Sequence, residues 1–183
     1  MDFTLSSSDI LHTTFIDPTN APRYRTSTTY PSFAYHQLKL YRTYPDGEQS
    51  GADDGAEKTI GNTGEQLIGM ITMAGGMGPS GRHHQVVVHS RDVTPERVKK
   101  LSTAEILVAT DGRSYKWKLE GIKHIGNFLL IDEKTKQTVA HFVIRNPFSS
   151  KPCKLHVNTE VLPILDELVA TLVYMVLRSN IGY

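Results

Sequence analysis

The sequence predicts a mainly β fold, an antiparallel barrel or strongly curled sheet around a buried hydrophobic C-terminal helix. Short strand-like segments follow one another at intervals of roughly 8–12 residues, which is typical of barrels and sandwiches. One strongly apolar segment, residues 163–178, comes after them. Since a helix that is apolar around most of its circumference must be buried, we expect the strands to enclose it.

The apolar C-terminal segment carries the signals of a helix. Pro163 suits a first helical position, and the carboxylates of Asp166 and Glu167 suit a first turn. Arg178 suits the last turn, where a cation matches the helix dipole. The uninterrupted apolar part, residues 168–177, is about half of the ~20 residues that cross a bilayer. We therefore expect a core helix, with a strand pair and a membrane tail anchor as the alternatives.

Alternating apolar and polar residues predict the strands. The predicted strands cover residues 3–5, 11–16, 35–41, 67–73, 85–89, 105–110, 115–119, 128–131, 139–144 and 153–157. Thr94 as an N-cap and Pro95 as a first helical residue predict a short helix over 94–101. Residues 46–65 are polar and rich in glycine and carboxylates, so we expect a long loop within a single domain spanning 1–183.

The composition argues against several classes of protein. A net charge of +1 excludes a globally basic nucleic-acid binder, so no nucleic-acid partner is expected. The single cysteine, Cys153, excludes an intrachain disulfide and a multi-cysteine zinc site. Its alternation with Leu155 and Val157 indicates core packing. The first residues lack a secretion signal, so we expect a reduced, cytoplasmic location.

No motif in the sequence predicts a catalytic residue or a cofactor. Residues 76–81 match G-x-G-x-x-G, but a strand-like segment follows where a dinucleotide site needs a helix, so they predict a hairpin connection. His83 and His84 are adjacent and would point to opposite faces of a strand. His141 and His156 lie on strands that could be neighbours, yet no Asp or Glu stands at a supporting spacing. We therefore expect no metal site.

The strand at 115–119 carries the sharpest functional hypothesis. Lys116 and Lys118 share one face of this strand and its apolar residues share the other, so both ammonium groups are expected to point outward. Lys99 and Lys100 are expected to lie nearby. A basic face of this kind predicts binding of an anionic lipid head group, because each basic residue near an anionic surface contributes ~1 kcal/mol. The predicted lipid-binding residues are Arg113, Lys116, Lys118 and Lys123.

The alternative to a lipid-binding face is a solvated charged surface with no ligand. Exposed aromatic residues are not interleaved with these charges, which argues against single-stranded nucleic acid as the ligand. A lipid ligand would make the protein peripheral at a membrane.

Four parts of the chain carry a family resemblance. They are residues 3–6 with 11–17, residues 112–118 (Gly-Arg-Ser-Tyr-Lys-Trp-Lys), residues 139–142 (Val-Ala-His-Phe) and residues 164–174. These segments resemble a family of basidiomycete fungal proteins known only as a domain of unknown function. The resemblance implies no activity, substrate or catalytic residue. Its arrangement is also similar to the tubby and scramblase-like architecture, a closed β-barrel threaded by a hydrophobic C-terminal helix, which implies a fold and not a function.

Three functions are compatible with the sequence. The first is a non-enzymatic binding module whose partner is an anionic phospholipid surface. The second is an enzyme or small-ligand carrier with a pocket at the barrel end, for which His141 or His156 beside a carboxylate would be the evidence. The third is a protein-binding scaffold that uses the 46–65 segment as its contact.

Overall fold

Thirteen antiparallel strands form one sheet in the computed structural model, which describes residues 1–32, 35–44, 64–74, 84–99, 102–120, 127–144 and 152–180. The strands are β1 (Asp2–Leu5), β2 (Thr14–Ile16), β3 (Pro22–Ser32), β4 (Tyr35–Thr43), β5 (Glu65–Ala74), β6 (His84–Val88), β7 (Arg91–Asp92), β8 (Glu96–Arg97), β9 (Glu105–Val108), β10 (Ser114–Glu120), β11 (Asn127–Asp132), β12 (Thr138–Val143) and β13 (Lys154–Val157). A 3₁₀ segment, Thr159–Ile164, leads into the helix α1 (Leu165–Asn180).

The sheet is a meander with one long-range pairing. Its strand order is β7-β6-β5-β4-β3-β2-β1-β13-β12-β11-β10-β9-β8, so strands that are consecutive in sequence pair with each other, except β7 and β8, and β1 also pairs with β13. This pairing sets Phe3 opposite Leu155 and joins the first and second halves of the chain. The edges of the sheet, β7 and β8, therefore come from the middle of the chain.

The sheet is strongly curled because its two edge strands are consecutive in sequence. Asp92 ends β7 and Glu96 begins β8, so the chain passes from one edge to the other over four Cα–Cα steps, at most about 14 Å. The Arg91 guanidinium on β7 donates from Nη2 to the carbonyls of Val108 (2.9 Å) and Ala109 (3.3 Å), at the end of β9. The predicted mainly β fold with a curled sheet is thus confirmed, and we call this junction of edges the seam.

The helix α1 lies inside the curled sheet. Leu168 and Leu172 are fully buried and Val176 is 6% exposed, which confirms the predicted core helix. The Trp117 indole Nε1 on β10 donates to the Thr171 hydroxyl at 3.0 Å, and both side chains are fully buried. Pro163 lies one residue before Ile164 at the end of the 3₁₀ segment, so α1 starts two residues later than predicted. No helix in the described ranges is long and apolar enough to span a bilayer.

The predicted helix at 94–101 is wrong. The Thr94 hydroxyl, expected to cap that helix, instead accepts a hydrogen bond from the Val86 amide at 2.8 Å and donates to Asp92 at 2.5 Å. Pro95 is buried, and Glu96 and Arg97 form the edge strand β8. The Thr94 hydroxyl is therefore not free to cap a helix, because it bonds to Val86 and Asp92. The segment that follows forms an edge strand at the seam instead.

Several predicted segments have a different extent or cannot be compared. Strand β3 was not predicted, whereas ten of the other strands overlap predicted ones. The predicted loop at 46–65 lies outside the described residues except for its end, where Glu65 begins β5. The G-x-G-x-x-G segment at 76–81 lies outside them as well, although the β5–β6 hairpin that flanks it is as predicted.

Candidate functional site on the outer face of the sheet

Strand β10 presents its basic residues on the outer face. Its side chains alternate in burial, with Tyr115 and Trp117 fully buried and Lys116 and Lys118 directed outward. Arg113 lies in the turn before β10 and is exposed. Lys123 and Lys100 lie outside the described residues, and Lys99 is exposed after β8. The structure therefore brings together three of the four predicted lipid-binding residues.

Each of these three cations lies within 4.0 Å of a carboxylate. Lys116 Nζ lies 2.8 Å from Glu133, and Lys118 Nζ lies 3.1 Å from Glu120. The Lys116 ammonium is the main reason that the pKa of Glu133 is lowered. Arg113 lies 3.9 Å from Asp111 and 3.8 Å from Asp132. The face therefore carries paired charges of both signs and is not a patch of one sign.

These ion pairs are weak because most of their members are in contact with water. The Lys118 and Glu120 side chains are each 48% exposed, and Lys136, which also pairs with Glu133, is 66% exposed. Exposed pairs of this kind contribute about 0–1 kcal/mol. The face also has an exposed aliphatic residue, Val108, which is register partner to Ser114 on β10. An external anion could therefore replace a carboxylate at little cost.

A row of outward side chains continues from Lys118 across the next strands. The register places Lys118 opposite Leu129, Leu129 opposite His141, and His141 opposite His156. His156 in turn lies opposite Asp2 on β1. The two histidines that the sequence left as possible neighbours are therefore directly paired across β12 and β13.

A carboxylate lies beside His156, although none stands at a supporting spacing in the sequence. The Asp2 Oδ1 atom lies 2.5 Å from Nδ1 of His156. This hydrogen bond is the largest cause of the lowered pKa of Asp2. Asp2 and His156 are separated by 154 positions in the chain, and only the β1–β13 pairing brings them together. The alternating residues of β1, Asp2 to Leu5, were the one sequence signal that could have suggested this contact.

A second polar cluster lies where α1 begins. The Asp166 carboxylate accepts from the Tyr24 hydroxyl at 2.6 Å and lies 2.8 Å from His89 Nε2 and 3.3 Å from Arg42. Burial first, and then the Asp166 charge, raise the pKa of Tyr24 well above its ordinary value. Because these groups satisfy one another across β3, β4 and the β6–β7 turn, the cluster attaches the helix to the sheet.

Glu167 makes the matching attachment on the other side of the helix. Its carboxylate accepts from Arg91 Nη1 at 3.1 Å and from the Thr110 amide at 3.0 Å. Arg91 also bonds to the carbonyls at the end of β9, so one guanidinium joins β7, α1 and β9. The two carboxylates that were expected to interact with the helix dipole thus attach α1 to the sheet, and Glu167 does so at the seam.

A cavity of about 490 Å³ opens at the seam. Its lining comes from β7, β8, β9 and the links beside them, and includes Arg91, Arg97, Val98, Ile106 and Val108. Neither His141 nor His156 lines it, since both lie on the outer face of strands further along the sheet. The arrangement that would have favoured an enzyme, a pocket with one of these histidines and a carboxylate, is not found at this cavity.

These features define the class of protein: a curled antiparallel β domain around a buried helix, with its candidate binding residues on the outer face. The chain belongs to the Family of unknown function (DUF6593), which it matches over residues 8–179. Membership in a family of unknown function was predicted and is confirmed. No curated protein and no solved structure matches the chain.

Proposed function

We propose that this domain is a non-enzymatic binding module, and that the outer face of β10 and its flanking turns binds the head groups of anionic phospholipids. The observation that carries the proposal is the set of cations on this face, of which Lys116 is half-buried and the others are exposed. These cations are Arg113, Lys116, Lys118 and Lys136. A cytoplasmic location with peripheral attachment to a membrane belongs to this proposal.

The energies of the competing interactions make partner exchange feasible. A surface ion pair such as Lys118–Glu120 is worth about 0–1 kcal/mol. A basic side chain at an anionic membrane gains ~1 kcal/mol, so phosphate can displace the carboxylate without a large net cost. The carboxylates of Glu120 and Glu133 remain on the face and repel anionic lipids, so a membrane of low charge density is not expected to bind. We therefore expect binding to require a densely charged head group, such as that of a phosphoinositide.

Liposome flotation tests this proposal directly. The wild-type protein is expected to float with phosphatidylcholine vesicles that contain phosphoinositide or phosphatidylserine, and to remain at the bottom with phosphatidylcholine alone. The double variant Lys116→Glu/Lys118→Glu is expected to lose flotation. Removal of each lysine should lower affinity about fivefold, since ~1 kcal/mol is lost per basic residue, and the added negative charge lowers it further.

A matched variant separates the face from net charge. Lys39 on β4 also points outward, between Ser27 and Met70, on a distant part of the sheet. Lys39→Glu changes the net charge as much as Lys118→Glu does, and it is expected to float like the wild type. Equal flotation of the wild type and the double variant would remove the proposal. Equal losses of flotation in Lys39→Glu and Lys118→Glu would show that binding depends on net charge and not on this face.

A further inference from the structure

The histidine pair on β12 and β13 has a geometry suited to a shared ligand. The Asn158 amide donates to the Val139 carbonyl at 2.9 Å, so these two residues form a hydrogen-bonded pair of the antiparallel ladder. His141 and His156 lie two residues further along, and they form a hydrogen-bonded pair too because the two pair types alternate. Their Cα atoms are therefore about 5.5 Å apart, and both side chains leave the sheet on its outer face. Two imidazoles at this separation can turn their ring nitrogens toward one point above the sheet.

His156 lies closer to its register partner on β1, Asp2, than to His141. The Val157 amide donates to the Met1 carbonyl at 2.8 Å, so Asp2 and His156 form a non-hydrogen-bonded pair. In such a pair the Cα atoms are about 4.5 Å apart and the side chains are closest. This register accounts for the 2.5 Å contact between Asp2 Oδ1 and His156 Nδ1. The imidazole is thus held by one nitrogen and presents the other, Nε2.

We propose that His141 and His156 bind a divalent transition-metal ion, with Asp2 orienting His156 from behind. Neutral imidazole nitrogen is a common ligand of zinc and copper, at about 2.0–2.1 Å for zinc. A ligating histidine characteristically donates its second N–H to a carboxylate, which fixes the ring and makes the bound nitrogen more basic. Asp2 supplies that carboxylate for Nδ1, so Nε2 of His156 is the ligating atom.

The site has two protein ligands and is open to solvent. The described residues contain no group of three or more His, Cys, Asp or Glu side chains placed to hold one ion. The His156 side chain is 58% exposed, so water or a group from another molecule completes the coordination. Lys154, two residues from His156, is exposed on the same face of β13. Its charge opposes the metal, so Lys154→Met is expected to strengthen binding.

Calorimetric titration of the full chain with Cu²⁺, Zn²⁺ and Mg²⁺ salts tests the site. We expect one ion per chain, with Cu²⁺ bound more tightly than Zn²⁺ and no binding of Mg²⁺, which prefers oxygen ligands. His141→Ala and His156→Ala should each weaken binding at least tenfold. Asp2→Asn should weaken it about 10- to 100-fold, the usual cost of removing the group that supports a ligand.

His89→Asn is the matched control. His89 is also an exposed histidine beside a carboxylate, Asp166, and asparagine tolerates its positive φ of 47°. This variant is expected to bind metal like the wild type. Unchanged binding in both His141→Ala and His156→Ala would overturn the proposal.

A measurement on the unmodified chain gives an independent test. Substoichiometric Cu²⁺ should broaden the amide resonances of Leu129, Lys154 and Thr4, which surround the histidine pair in the register. Broadening that is centred elsewhere, or spread over all histidines, would contradict the assignment. This proposal uses His141, His156 and Asp2, and it does not depend on lipid binding by β10.

Discussion

Asp17 holds the turn between β2 and β3 through both of its oxygens. Oδ1 accepts from the Thr19 hydroxyl at 2.6 Å and from the amides of Thr19 (2.9 Å) and Ala21 (3.0 Å). Oδ2 accepts from Arg23 Nε at 2.7 Å. Burial acts to raise the pKa of Asp17, but these hydrogen bonds outweigh it and lower the pKa from 3.8 to about 2. The ionised carboxylate is therefore part of the folded turn.

We expect Asp17→Asn to lower the free energy of unfolding, and the loss to depend on pH. Because the pKa is depressed in the folded state, the charge stabilises the fold above the unfolded pKa and ceases to do so as pH falls toward 2. The carboxylate contributes roughly 2 kcal/mol at neutral pH. Urea unfolding of both proteins from pH 7 to pH 2 should show the difference between them shrinking by about that amount. A difference that stays constant over this range would contradict the assignment.

The element that the core depends on is α1, and one of its buried polar contacts is with Trp117 on β10. The Thr171 hydroxyl accepts from Trp117 and donates back to the Glu167 carbonyl at 2.8 Å. Thr171→Val keeps the shape of the side chain but leaves the buried indole N–H without an acceptor. We expect a loss of about 1–3 kcal/mol in the free energy of unfolding, measured by urea denaturation.

Thr171→Ser is the control for this prediction. It keeps the hydroxyl and removes a methyl group, so it should preserve the environment of the indole. Trp117 is the single tryptophan of the chain, and its fluorescence therefore reports this contact in both variants. A wild-type emission spectrum and wild-type stability in Thr171→Val would show that the hydrogen bond contributes nothing.

Elements were predictable from the sequence where apolar residues alternate or cluster, as in β10, β11 and α1. Strand β3 was missed because its inward positions include polar side chains. Thr26 is buried there, accepts from the Thr13 amide at 2.9 Å and donates to the Ile10 carbonyl at 2.9 Å. The helix at 94–101 was wrongly predicted because local capping signals cannot show that Val86 has taken the Thr94 hydroxyl. Both errors come from hydrogen bonds to residues outside the segment in question.

The candidate site was predictable only in part, for the same reason. The alternation of β10 gave the outward direction of Lys116 and Lys118 correctly, because a strand fixes side-chain direction locally. The carboxylate beside Lys116 lies in the turn that follows β11, and the one beside His156 lies near the start of the chain. Neither could be assigned before strand pairing was known.

At the scale of the whole molecule, Arg91 connects the edge strand β7 to β9, the strand next to the opposite edge. Its guanidinium bonds to α1 and to the end of β9 at once, which a lysine ammonium cannot reproduce with the same geometry. We expect Arg91→Lys to lower the free energy of unfolding by about 1–3 kcal/mol and to open the seam. Hydrogen exchange should accelerate at residues 91–97 and 105–110 before it does in the rest of the sheet.

Arg25→Lys is a suitable comparison for the seam. Arg25 makes a two-bond pair with Glu65, at 2.7 and 2.6 Å, within the continuous part of the sheet. Its substitution also removes a forked contact but should leave exchange at the seam unchanged. Equal exchange at residues 91–97 in the wild type and in Arg91→Lys would show that the edges are held by other contacts.

The pairing of β1 with β13 has a consequence for biosynthesis. During translation the half-sheet β1 to β7 leaves the ribosome with β1 as an uncovered edge, since its partner at Lys154–Val157 is made much later. The apolar helix that fills the interior is made after all thirteen strands. Until then, the nascent chain has an unpaired strand edge and exposed aliphatic surface. Both features favour self-association, so we expect a chaperone to bind the chain during synthesis.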